Sequence, residues 1–106
     1  MTTERIVIAA YKPFPGKEEA LRELMKTHVE TLRSQGLVTG RTPITMQGAD
    51  GIVLEVFGWK SKEAIESAHA NPVVQEMWEQ FGTVCEFIPA REVPEMANLF
   101  SEFDPL

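Results

Sequence analysis

Apolar and polar positions change period several times along this chain, and each change marks an element. Ile6-Val7-Ile8-Ala9-Ala10-Tyr11 is a nearly unbroken apolar run, which predicts a strand buried on both faces. Lys12-Pro13-Phe14-Pro15-Gly16 interrupts it, because two prolines remove backbone donors and Gly16 frees the chain and can cap the next element. From Lys17 to Gln35 the period becomes helical. Ala20, Leu21, Leu24, Met25, His28, Val29 and Leu32 share one stripe, and the other face pairs Glu18 with Arg22, Glu23 with Lys26 and Glu30 with Arg33. Gly36 reads as the glycine just past the helix end.

The second half begins with a hairpin. Ile44 and Met46 alternate with Thr45 and Gln47, and Pro43 makes this an edge strand. Gly48-Ala49-Asp50-Gly51 turns the chain into Ile52–Phe57, rich in β-branched and aromatic residues. Ser61 is placed to cap a helix over Lys62–Ala70. Asn71 can cap a second one, with Pro72 at its first position and Val73, Val74, Met77, Trp78 and Phe81 on one side. Gly82 ends it, and Thr83–Ile88 is the last strand. Pro89 and Pro94 bracket a connector. Met96, Leu99, Phe100 and Phe103 then recur at helical spacing and predict a short amphipathic C-terminal helix.

The order β-α-β-β-α-β predicts an α+β fold of the ferredoxin-like kind, an antiparallel sheet with helices on one face and an extra C-terminal helix. The uncovered face of such a sheet is ordinarily polar. Here Ile52, Leu54 and Val56 lie on one side of their strand and Val53, Phe57 and Trp59 on the other, so both faces are apolar. A naked apolar face needs cover, and the same face of a second copy supplies it. The pattern therefore predicts a homodimer.

Composition narrows the function without naming it. The 106 residues suit one domain spanning 1–106. A formal net charge of −6, with no basic run, argues against nucleic acid and against an acidic membrane surface. No stretch is long and apolar enough to span a bilayer, and residues 1–10 do not read as a signal peptide. The single Cys85 forms no intrachain disulfide and no metal framework, which fits a cytoplasmic protein.

The chemistry-bearing residues are few. His69, beside the Asn71-Pro72 break, has the titration range of a general base; it can equally bond a backbone carbonyl and tie down the break. His28, on the core stripe of the first helix, is a second candidate catalytic group facing the same cavity, or a hydrogen-bonded core histidine. Two histidines without a third ligand make a poor metal site. Tyr11 ends the first strand and can point its hydroxyl into a cleft. Trp78, Met77 and Phe81 line either a substrate cavity or the core. Trp59 packs at the strand end or at the dimer interface. Glu55 and Glu86, the acids within strands, read as register or interface devices that meet Arg5, Arg41 or Arg91 or reach water at the dimer seam. Cys85 reads as an inert thiol.

The stretch Trp59-Lys60-Ser61-Lys62-Glu63-Ala64-Ile65-Glu66-Ser67-Ala68-His69-Ala70-Asn71-Pro72, preceded by a strand, Pro13-Phe14-Pro15-Gly16-Lys17, a long helix and a hairpin, resembles the antibiotic biosynthesis monooxygenase family. That family belongs to the dimeric α+β barrel superfamily, and the resemblance covers roughly residues 4–90. It implies a monooxygenase that oxidises a small aromatic substrate (quinol, phenol or anthrone) with O₂, using neither metal nor flavin. The pocket polar groups it implies are Tyr, Trp, Asn and His, which adds Asn71 to Tyr11, Trp78, Met77 and Phe81 as substrate-binding candidates. Haem-degrading relatives share the fold, but their pattern does not carry over: the first strand has no Asn, and their Trp and His positions fall near Ala68 and Trp78. The alternative is a non-catalytic dimeric barrel that binds a small molecule or has a purely structural role.

Overall fold

The computed structural model describes residues 2–106. Five strands form one antiparallel sheet in the order β4-β1-β3-β2-β5, with β1 at Arg5–Pro13, β2 at Ile44–Gln47, β3 at Val53–Trp59, β4 at Cys85–Ile88 and β5 at Asp104–Pro105. Helices α1 (Glu18–Ser34), α2 (Lys62–Ala68) and α3 (Pro72–Gly82) cover one face. This is the ferredoxin-like arrangement. The two central strands, β1 and β3, are paired from Arg5↔Trp59 to Tyr11↔Val53, which sets Ala9 opposite Glu55.

Local sequence explains the boundaries. Glu18 and Glu19 occupy the first turn of α1, where carboxylates suit the helix dipole. Lys17, not Gly16, is its N-cap. At the far end Gly36 takes a φ of 70°, its N–H bonds Arg33 O and that of Leu37 bonds Leu32 O, a Schellman closure. Ser61 accepts a hydrogen bond from Ala64 N at 3.0 Å and starts α2. Asn71 accepts from Val73 N and Val74 N and starts α3, with Pro72 where a missing N–H does no harm.

The helix-covered face holds most of the core. Leu21, Leu32, Val74 and Phe81 are fully buried against Tyr11, Val53, Phe57 and Trp59. Each such side chain contributes about 1.5–3 kcal/mol of apolar transfer. Val73, by contrast, faces solvent rather than sharing the buried side of α3.

Three expectations about the sheet and the C-terminal segment fail. Met96–Phe103 does not form a helix: 3₁₀ turns at Ala90–Glu92 and Pro94–Ala97 give way to extended chain that ends as β5 beside β2. A helix would place Met96, Leu99, Phe100 and Phe103 on one side. Instead Val93, Met96 and Phe103 pack on Ala10, Ile52 and Leu54, while Leu99 and Phe100 stay exposed. A segment this short cannot offset helix nucleation without burying its whole stripe. As a result β2 is not the edge; the two residues of β5 are. Nor is β1 buried on both faces, since Ile6 and Ile8 are 52% and 50% exposed. No helix among the described residues is long and apolar enough to cross a membrane.

Candidate functional site

The centre of β3 carries an acid where the pattern of its neighbours calls for an apolar residue. Glu55 shares a face with Val53, Phe57 and Trp59, and that face lies under the helices. Its side chain is 1% exposed. A carboxylate removed from water to this extent needs donors. His28 provides one from the buried stripe of α1: its Nδ1–H donates to Glu55 Oε1 at 2.7 Å. Tyr11 provides a weaker one from β1, its hydroxyl donating to the same oxygen at 3.4 Å. The small Ala9 stands opposite Glu55 in the register, and Tyr11, two residues on, reaches it diagonally.

Aromatic rings wall in this group. The His28 ring meets Phe81 at 5.2 Å, Phe57 at 5.7 Å and Tyr11 at 5.9 Å between centroids, each edge to face. Burial, and then the neighbouring charge of Glu55, push the Tyr11 phenol well above its ordinary value. With Nδ1 committed to Glu55, the imidazole of His28 has Nε2 left as its acceptor.

Next to the group lies a cavity of about 380 Å³. His28, Tyr11, Phe57 and Trp59 line it from the sheet and α1; Ile65, His69 and Trp78 line it from the broken helix, and Phe87 from β4. His28, His69 and Tyr11 thus converge on one space. Their surroundings differ. His69 is exposed, its Nδ1–H donates to Ile65 O at 2.9 Å, and its ring lies against Trp78 at 5.2 Å. It ties down the end of α2 and borders the cavity at once.

Several sequence candidates do not reach the cavity wall. Asn71 does not line the cavity: its Oδ1 caps α3 and its Nδ2 donates to Gln35 Oε1 at 3.3 Å. Met77 and Phe81 are core residues, Phe81 being fully buried between α1 and the sheet. Neither strand acid meets an arginine. Glu55 is bonded by His28 and Tyr11, whereas Glu86 is exposed, and Arg41 pairs instead with Glu4 at 2.8 Å. Glu55 therefore stands under the helices, beside His28 and Tyr11. A signal for this was present: it has the parity of Phe57 and Trp59, and His28 lies on the stripe that covers that face. Trp59 packs in the helix-covered core at the strand end. Cys85 is buried, and burial pushes its thiol up to about 11. Among the described residues no group of three His, Cys, Asp or Glu side chains is disposed to hold a metal ion.

No protein-family model and no curated protein sequence matches the chain significantly. Among solved structures, Rv0793 from Mycobacterium tuberculosis superposes with a TM-score of 0.64, over 80% of this chain and 88% of that one, at 22% identity. At that identity the likeness is one of fold, and the chain shares the α+β architecture of Rv0793.

Proposed function

We propose that the protein is a cofactor-independent monooxygenase of a small, acidic aromatic substrate, related to the antibiotic biosynthesis monooxygenases. The observation that carries this reading is the His28–Glu55 pair, a buried imidazole held by a carboxylate at 2.7 Å on the wall of an aromatic cavity. Such a pair makes a general base. Glu55 orients the ring, fixes the tautomer and stabilises the imidazolium that forms when Nε2 takes a proton.

The reaction needs little more from the protein. His28 removes a proton from the activated carbon of the substrate, the CH₂ of an anthrone in the simplest case. The substrate anion reduces O₂ and captures it as a peroxide at the same carbon. The proton returns, the O–O bond breaks, and water leaves as the carbonyl forms: R₂CH₂ + O₂ → R₂C=O + H₂O. Phe57, Trp59, Trp78 and Phe87 hold the aromatic substrate and exclude water, which favours the delocalised anion over a solvated one. His69, at the exposed border, is a substrate hydrogen bonder through Nε2 in this scheme.

The same reading includes a homodimer. Ile6, Ile8 and Ile44 expose 50–60% of their surfaces on the face opposite the helices. A second copy laid on that face covers them. Sedimentation at micromolar concentration tests this part, and a monomer there contradicts it.

The activity test is oxygen uptake with a panel of quinols and anthrones, with a chelator present and no flavin added. Uptake that depends on His28 is expected. Saturable binding without uptake by wild-type protein overturns the oxygenase reading in favour of a small-molecule carrier.

A further inference from the structure

The buried pair has a second exit. A cavity of about 440 Å³, separate from the aromatic one, is bordered by Arg22, Lys26, Glu30 and Arg33 of α1, by Pro43 and Thr45, and by Glu55. The aromatic cavity is bordered by His28 and Tyr11 but not by Glu55. One short hydrogen bond, His28 Nδ1–Glu55 Oε1, thus joins two spaces that share no lining residue.

The carboxylate is divided in the same way. Oε1 accepts both of the hydrogen bonds that Glu55 receives, and Oε2 has no protein donor. Among the described residues every fully inaccessible side-chain nitrogen or oxygen has a partner. Oε2 therefore keeps some accessible surface, and the space that Glu55 borders is the second cavity. Lys26, Glu30 and Arg33, all exposed, stand at its mouth.

We propose that this second cavity is the proton port of the His28–Glu55 pair: protons pass between solvent and the buried imidazole through Glu55 Oε2, not through the aromatic cavity. A proton on Nδ1 moves along the 2.7 Å bond to Glu55 Oε1, a half-turn of the neutral carboxyl exchanges its two oxygens and carries the O–H to the Oε2 position, and there it passes to water in the second cavity; return takes the reverse path. No bond between heavy atoms changes. The route stays open when a substrate fills the aromatic cavity and seals Nε2 from solvent. The charges facing Glu55 suit the task. Arg22, Lys26, Glu30 and Arg33 line the same space and give it polar groups that hold water beside Glu55. Tyr11, on β1, donates to Oε1 and stays protonated; Cys85, from β4, adds to the rise of its pKa.

The port itself does not depend on the oxygenase reading, and its test uses no turnover, so either can fail alone. The chain has two histidines, His28 and His69, so the ring protons of ¹⁵N-histidine-labelled protein give separable signals. The measurement is the solvent exchange rate of the His28 Nδ1–H, with His69 as internal control. Thr45→Phe fills the second cavity from β2, and Pro43→Phe fills it from the loop before β2, leaving the sheet untouched. Val7→Phe fills the aromatic cavity. Expected are exchange rates slowed about tenfold or more by either second-cavity plug and changed less than about twofold by Val7→Phe. Slowing by Val7→Phe, with unchanged exchange in a folded Thr45→Phe or Pro43→Phe protein, overturns the port.

Discussion

The two histidines border one cavity and live in opposite surroundings. His28 is 3% exposed, boxed by Tyr11, Phe57 and Phe81, and bonded to a carboxylate. His69 is exposed and bonded to the carbonyl of Ile65 in its own helix. A backbone carbonyl fixes a tautomer but carries no full charge. A carboxylate in a dry site both fixes it and stabilises the protonated ring. The comparison teaches that Glu55, more than the histidine as a residue type, distinguishes the two ends of the cavity.

The strongest way to break the comparison is to remove that acid. Glu55→Ala leaves the Nδ1–H of His28 and the hydroxyl of Tyr11 buried without an acceptor. A loss of about 3–5 kcal/mol in urea unfolding is expected. A loss under about 1 kcal/mol would mean that the buried group is not a structural hub. Substituting the histidines separates them functionally. His28→Gln should lower oxygen uptake about 100-fold or more, the usual worth of a general base. His69→Gln should raise KM with a smaller effect on kcat. Equal losses in kcat from both would dissolve the distinction.

Smaller effects sharpen it. Asn71→Ala removes the cap of α3 and should cost about 1 kcal/mol in thermal or urea unfolding. Uptake should change only through the position of His69 and Trp78, so KM is the parameter to measure.

At alkaline pH Tyr11, the single tyrosine, reports on the buried group. Its folded pKa is raised, so its contribution is complete below about pH 10, the unfolded value, and declines above it. Phenolate absorbance should therefore appear only with unfolding. At the acid end the Glu4–Arg41 pair, half-buried at the acid and exposed at the arginine, gives the contrasting case. Arg41 and the Thr39 hydroxyl hold the Glu4 carboxyl at about 2, so its contribution is present above the ordinary carboxylate range and lost as pH falls toward 2. Glu4→Gln should flatten that part of the acid stability curve, so that the variant is less stable than the wild type at neutral pH and converges with it near pH 2.

Much of this molecule was determined by local sequence, because its rules act within a few residues. Gly36, Ser61 and Asn71-Pro72 end or begin helices through hydrogen bonds to backbone groups at most four positions away. The parity of Ile52–Trp59 and the stripe from Leu21 to Leu32 likewise set which side chains face the helices. Three features were decided only by the folded chain. The C-terminal segment has helical periodicity, yet it lies extended because sheet contacts for Val93, Met96 and Phe103 outweigh a stripe it cannot bury whole. Asn71, Met77 and Phe81 have residue types suited to a pocket, and packing assigned them to a cap and to the core. Glu55 reads in isolation as a misfit on an apolar strand. It became the centre of the site because β1, β3 and α1 bring Tyr11 and His28 from 44 and 27 positions away, within hydrogen-bond reach of one oxygen. A contact across that separation has no signature within the strand itself, since its cause is the docking of α1 on the sheet.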